Sequence, residues 1–382
     1  MHPLPSNLRR IRADRGLTQA QLATKARIST AAYRKVETGR SAPRASTLDA
    51  LAHALDARYE ELLVEPPRLD KVRFRSSKKL KSREQVIVDI AFRLRDFCAL
   101  EDTLNERPVY ALAGLEPPTS RDREGLAGLA DRARKALGLA APDQSIRDVC
   151  GLLENNGIKV LLIRRASDGF FGLSVAPGRL GPAIVVNTWE RISVERRIYT
   201  AAHELGHLLL SRDEYDGGED SDRDAEHERE VDLFAALFLM PDEVFWSEWK
   251  QSQGLPLIDR VLKVKRIFKV SYKTVLHRIA EQMDDPSAIW PLFQVQHKQR
   301  FGKTLKKWEE PKGLAASEFS RAAPPALQSR EHDALSASEF TPDRLHRLVR
   351  RAFEEGEISM SRAAEILRID LMDMRKLAAS WI

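Results

Sequence analysis

The chain has 382 residues, of which 43% are hydrophobic and 31% charged, with a net charge of +6 and two cysteines. That length suits two or three packed domains, and Cys98 and Cys150, far apart and outside any CxxC pair, exclude a disulfide framework and a cysteine zinc site. No apolar run reaches the roughly 18 residues of a membrane span and the N-terminal stretch lacks a signal-peptide core, so a cytoplasmic protein with no membrane partner is expected.

In chain order, residues 7–63 read as five short helices. Leu8 and Ile11 give the first an apolar stripe, and Gly16 ends it. Thr18 is the expected N-cap of a second helix, Gln19 to Lys25; Ser29 or Thr30 opens a third that runs to Glu37 and is closed by Gly39. A fourth starts near Ser46 and buries Leu48, Leu51, Ala52 and Leu55, and Tyr59 to Leu63 completes the bundle. Ten Lys and Arg stand against three acids among the first 50 residues, so the rest of the chain sums to −1 and the basic excess is local. Two short helices joined tightly at Ala26 to Ile28 within that basic end suggest a helix-turn-helix facing nucleic acid.

The run GLTQAQLATKARISTAAYRKVETGRSAP resembles the Cro/C1 or XRE family of DNA-binding domains in its Q-x-x-L-A, its E-x-G and the following Pro43. The resemblance implies a double-stranded DNA operator, with Thr30, Ala31, Arg34 and Lys35 toward base edges and Gln19 and Arg40 on phosphates. Thr30 and Ala31 are short, so specificity would rest on Lys35, Arg34 and DNA shape. A helical protein-docking module with a basic face is the alternative.

Glu65-Pro66-Pro67 breaks the helical pattern, and the basic run Lys71 to Arg83 reads as an exposed linker. Val86, Ile87, Ile90, Ala91, Leu94, Phe97 and Cys98 recur at helical spacing, so a long helix is expected to begin the second domain. Two more helices fit Arg121 to Leu137 and Ile146 to Asn155, with Gly157 ending the latter. Three short apolar runs follow, Ile158 to Ile163, Gly172 to Val175 and Ala183 to Val186, which predict three strands of a small sheet. Asn187 ends the last, and Val194 begins the next helix.

That helix contains YTAAHELGHLLL, Tyr199 to Leu210, with His203, Glu204 and His207 in the order H-E-x-x-H. Four residues apart on a helix, the two imidazoles lie on one face and can chelate a divalent ion, while Glu204 reaches a water at an open coordination position. Two unpaired imidazoles among Ala201, Ala202, Leu205, Leu208, Leu209 and Leu210 would be costly to bury, which favours metal binding over a polar surface pair. Tyr199, one turn earlier, is expected to pack rather than to donate to an oxyanion. A sheet followed by such a helix is the layout of zinc peptidases, where an edge strand holds the peptide substrate by β-augmentation.

A third ligand is expected downstream, where Glu226, His227, Glu228, Glu230 and Asp232 all carry suitable side chains. The metzincin continuation is absent, because Leu210 and Asp213 stand where Gly and His are required. A later helix, Glu228 to Pro241, would bury Val231, Phe234, Ala235, Phe238 and Leu239. Glu228 and Asp232 fall four apart, so one carboxylate can bind metal while the other orients a histidine.

AHELGHLLL together with E-x-E-x-[ND]-x-F-A-x-x-x-L-M-P resembles the ImmA/IrrE family of bacterial metallopeptidases over roughly residues 85–285. The resemblance implies His203, His207 and Glu228 as metal ligands, His227 and Glu230 being competitors, and Glu204 as the catalytic base. It also implies zinc, or else manganese, and cleavage of helix-turn-helix repressors. Val231 stands where the family usually has alanine, and Asp232 where asparagine is common.

Residues 211–230 carry ten acids and three arginines, and the acidic loop over 213–226 is read as gating the site or favouring basic substrates. An irregular connector is expected over 311–335, then a helix over Pro342 to Glu355 and a second helix-turn-helix-like unit over Ile358 to Leu377, which suits DNA binding or partner binding; its nearly neutral charge favours protein contact or homodimerisation. The expected fold is multidomain and mainly α with a small β-sheet: a five-helix bundle over 1–65, a basic linker over 66–84, an α+β zincin-like metallopeptidase domain over 85–285, and a connector with a C-terminal helical domain over 286–382. The expected function is a DNA-binding regulator fused to a zinc-dependent endopeptidase that cuts a repressor or partner protein in a stress or phage response. The alternative is a repressor or antitoxin whose peptidase fold is only a sensor or scaffold.

Overall fold

The computed structural model describes residues 3–69, 72–76, 83–139, 145–167, 169–211, 221–306, 309–311 and 335–381. Most of the expected acidic loop and connector therefore lie outside the described residues. By contacts the chain divides into two units: Met1–Asp70, Lys79–Arg107 and Leu345–Ile382 form one, and Lys71–Lys78 with Pro108–Arg344 form the other. No helix among the described residues is long and apolar enough to cross a membrane.

The first unit begins with α1 (Leu4–Asp14), α2 (Gln19–Lys25), α3 (Thr30–Glu37), α4 (Ala45–Leu55) and α5 (Tyr59–Leu63). Thr18 caps α2 in a reciprocal capping box with Gln21, and Ser29 rather than Thr30 caps α3. Leu8, Leu22, Tyr33, Leu51 and Leu62 are fully buried between these helices. Among these helices a carboxylate is buried: Glu37 accepts from Arg12 Nε at 2.7 Å, from the Tyr33 hydroxyl at 2.8 Å and from the Gln19 amide. Burial opposes its charge, but these three donors outweigh it and hold Glu37 below the usual carboxylate range.

The long helix α6 (Arg83–Thr103) belongs to this same unit, whereas its spacing had suggested the start of the second domain. The physical reason is that it is buried around most of its circumference, Asp89, Asp96 and Glu101 included, and so must be covered on more than one side. Arg10 of α1 stacks on Phe92, and Arg362 reaches Asp96 at 2.8 Å. Arg362 lies on the C-terminal helices α16 (Met360–Leu367) and α17 (Leu371–Ala379), which are N-capped by Ser359 and Asp370.

The second unit holds a four-stranded sheet in the order β1-β3-β4-β2, with β1 (Val72–Ser76), β2 (Lys159–Ile163), β3 (Phe170–Val175) and β4 (Ala183–Asn187). β2 runs parallel to β4, while β3 is antiparallel to both β4 and β1. The three expected strands are present. The fourth, β1, comes from the segment read as linker: V-R-F-R alternates apolar and basic residues over too few positions to outweigh its charge as a sequence signal, yet its backbone completes the edge of β3.

Against the sheet packs α9 (Val194–Leu210), N-capped by Ser193 and buried from Thr200 through Leu210. α10 (Ser221–Leu239) packs on α9 and on α7 (Arg123–Ala136), placing Val231, Phe234, Ala235, Phe238 and Leu239 in the core as expected. The remaining helices α8 (Val149–Asn155), α11 (Asp242–Gln251), α12 (Leu257–Phe268), α13 (Tyr272–Ala280) and α14 (Ile289–Phe301) contribute to the same core. This unit ends at Arg344, the first residue of α15 (Arg344–Glu354), where Glu154 accepts the backbone N–H of Asp343 and Arg344.

Candidate metal centre

Two glycines decide how close the elements around H-E-x-x-H come. A Cβ on Gly206 would lie 2.9 Å from Phe234 Cδ1 and 2.9 Å from Val231 Cγ1, so only glycine lets α10 approach α9 this closely. A Cβ on Gly172 of β3 would lie 2.6 Å from Thr200 Cγ2 and 3.2 Å from Glu204 Oε1, so β3 runs directly over the carboxylate between the histidines.

With the helices at that distance, three donors converge. Nε2 of His203 faces Nε2 of His207 at 3.0 Å, and the Glu228 carboxylate lies 3.3 Å from each ring nitrogen. These three residues form a group that could hold a metal ion. The spacing fits one: four ligands about 2.0–2.1 Å from a tetrahedral ion stand about 3.3 Å from each other, and two histidines with one glutamate is a donor set of catalytic zinc sites.

The surroundings prepare the donors. His203, Glu204 and His207 are 0% exposed. Asp232 Oδ1 lies 2.8 Å from His203 Nδ1, which fixes that ring so that Nε2 points into the cluster. Burial pushes His207 down to about 3, keeping the ring neutral and its lone pair available. Burial works against the charge on Glu228, but its contacts with both histidines prevail and hold it well below the usual carboxylate range.

The competitors for the third position are engaged elsewhere. His227 Nε2 meets Ser211 Oγ at 2.7 Å, and its Nδ1 meets Arg121 at 3.2 Å. Glu230 accepts from Arg121 at 2.9 Å. The Tyr199 hydroxyl donates to the backbone carbonyl of Asp232 at 2.9 Å, which makes it a packing residue that ties α9 to α10. The sequence reading did not find the layer beside the cluster, in which Arg73 of β1 donates to Ser211 Oγ at 3.1 Å. Arg73 is separated from Ser211 by more than a hundred residues, and its only sequence signal was its place in an alternating basic run.

Residues 157–280 match the family model described as the IrrE N-terminal-like domain, and residues 8–62 match a helix-turn-helix model. This chain joins an XRE-type helix-turn-helix to an IrrE/ImmA-like peptidase domain. The comparison with curated proteins returned no match. The IrrE-like segment starts just before β2 and ends with α13, so it contains the whole cluster and three of the four strands, but not β1.

In the helix-turn-helix domain, Thr30, Ala31, Arg34 and Lys35 are exposed on α3, and Arg40 is exposed just after it. Gln19 differs from these: it is half-buried and its amide donates to Glu37, so it braces α3 from within.

Proposed function

We propose that this protein is a DNA-binding regulator whose IrrE-like domain is a zinc-dependent endopeptidase, with manganese as the alternative ion, acting on a helix-turn-helix repressor or other partner protein in a stress or phage response. His203, His207 and Glu228 would hold the metal and Glu204 would be the catalytic base. The observation that carries this reading is the juxtaposition of a buried two-histidine, one-glutamate cluster with a further buried carboxylate, Glu204, adjacent in sequence to a ligand. A purely structural metal site needs no such carboxylate.

When bound, the metal supplies Lewis acidity and lowers the pKa of water toward ~7. The chain's residues do the rest. Glu204 takes a proton from the attacking water and returns it to the leaving amine, a role that typically contributes about 10²–10⁴-fold. Asp232 holds His203 in the tautomer that presents Nε2. Gly172 lets a β-strand pass close above Glu204, which suits an extended peptide substrate.

Exposed Thr30, Ala31, Arg34, Lys35 and Arg40 would meet an operator, Gln19 would contribute from the second row, and the C-terminal helices suit protein contact or homodimerisation. A DNA partner and two buried cysteines suit the cytoplasm. The test is cleavage of helix-turn-helix repressors encoded beside this gene, with and without a chelator. Fragments that appear only with metal support the reading, and fragments that persist after complete metal removal refute the metallopeptidase assignment.

A further inference from the structure

The edge of the sheet nearest the metal cluster is already filled by the chain itself. β1 pairs antiparallel with β3, Arg73 lying opposite Ser174 and Arg75 opposite Gly172, the glycine that rests against Glu204. The register shifts between Arg75 and Ser76, beside this point. The IrrE-like segment supplies β2, β3 and β4 from within its own span, and β3 is one edge of that three-stranded set, the one to which β1 is added from outside it.

We propose that Val72–Ser76 occupies the peptide-binding edge of the peptidase site as a ligand held in cis, and that the site takes extended segments of the same kind, in which basic and apolar residues alternate. The inference rests on the peptidase reading above and adds to it a substrate class and an intramolecular competitor. Backbone pairing to an exposed edge gives such a site affinity for any extended chain, and side chains then select among chains. Here the selection is for positive charge: of the acids on α10, Glu228 and Asp232 stand at the cluster, and neither is fully buried. Arg73 shows the mode of recognition. Its guanidinium donates to Ser211 Oγ, and Ser211 in turn meets His227, whose ring centroid lies 5.5 Å from that of His207.

An incoming substrate must displace β1 before it can pair with β3. The test uses the full chain carrying Glu204→Gln, loaded with zinc, and a fluorescent synthetic peptide spanning residues 71–78. Proline at both Val72 and Phe74 removes two backbone donors from β1 and frees the edge. This variant should bind the peptide at least tenfold more tightly than the protein with β1 intact, as read by fluorescence anisotropy. As a second measurement, Arg73→Cys with Ser174→Cys joins two residues that are direct partners in the ladder. The oxidised form should bind at least tenfold more weakly than its reduced form. Equal affinity in the released and unreleased proteins, or equal affinity in the oxidised and reduced forms, overturns the proposal, as does absence of binding to the released protein. Because binding is read in a variant without the base, a failed cleavage assay removes the peptidase reading alone, and unchanged binding removes this inference alone.

Discussion

Asp232 Oδ1 stands 2.8 Å from His203 Nδ1, and this contact turns the other ring nitrogen toward His207. Through this contact the carboxylate acts on metal binding by orienting the ring. Asp232→Ala is therefore expected to weaken zinc binding by about 10–100-fold with helical content unchanged. Competition titration against a chromogenic chelator measures this, and an unaltered affinity would remove Asp232 from the site.

Gly206 governs the distance between the two helices that carry the cluster. Gly206→Ala places a methyl group 2.9 Å from both Phe234 and Val231 side chains, and overpacking of this kind costs about 1–3 kcal/mol. Its thermal midpoint should drop and its zinc affinity with it. Gly128→Ala on α7 is the control, since its Cβ would meet only the far end of Arg132 at 3.7 Å. There the helix should gain about 0.5–1 kcal/mol. A stable, fully metal-binding Gly206→Ala protein would contradict the packing account.

Glu154 gives a pH signature. Burial pushes its carboxyl up to about 7, and the N–H groups of Asp343 and Arg344 only partly counter this. With the folded value above the ordinary 4.5, the folded protein keeps a proton that the unfolded chain has lost. The stabilising contribution is present in full below 4.5 and is lost as pH rises through about 7. Melting of the metal-free protein and of its Glu154→Gln variant, followed by tryptophan fluorescence at pH 5 and pH 8, isolates this contribution, because the buried histidines act in the opposite direction in both proteins. The change in midpoint from pH 8 to pH 5 should be more stabilising in the unaltered protein than in the variant, and an identical change in the two would remove Glu154 as a source of pH dependence.

On the DNA-binding side, Lys35→Ala should cost about 1–3 kcal/mol of operator affinity and relax base preference. Arg40→Ala should weaken binding to all sequences alike and lower the salt slope by about 0.9. Gln19→Ala should instead lower the stability of the domain, because it removes a donor from buried Glu37. Gel shifts at several salt concentrations separate these outcomes, and a Lys35→Ala protein that binds its operator unchanged would count against α3 as the reading helix.

Local signals made much of this molecule legible. Thr18, Ser29 and Gly39 announce α2 and α3 through capping chemistry, and the H-E-x-x-H run announces the cluster because helical periodicity alone brings His203 and His207 together. Glu228 and Asp232 were readable as a pair for the same reason, and the family resemblance pointed to Glu228 for the cluster; the coordinates add that Asp232 is the carboxylate behind the His203 ring. What was not legible depends on long-range pairing. β1 is five residues of mixed charge whose strand character comes from the waiting edge of β3 rather than from its own propensity. The placement of α6 was missed for a related reason: its apolar spacing shows that it is buried, but not by which elements.

The central claim is that Glu204 makes this a peptidase rather than a metal-binding scaffold. Zinc-loaded protein and its Glu204→Gln variant, matched for metal content, should be incubated with the repressor encoded nearest to the gene, and new peptide termini counted by mass spectrometry. The account predicts discrete cleavage by the unaltered protein and a rate lower by about 10²–10⁴-fold in the variant, with bound zinc unchanged. Equal cleavage by the two proteins would contradict it.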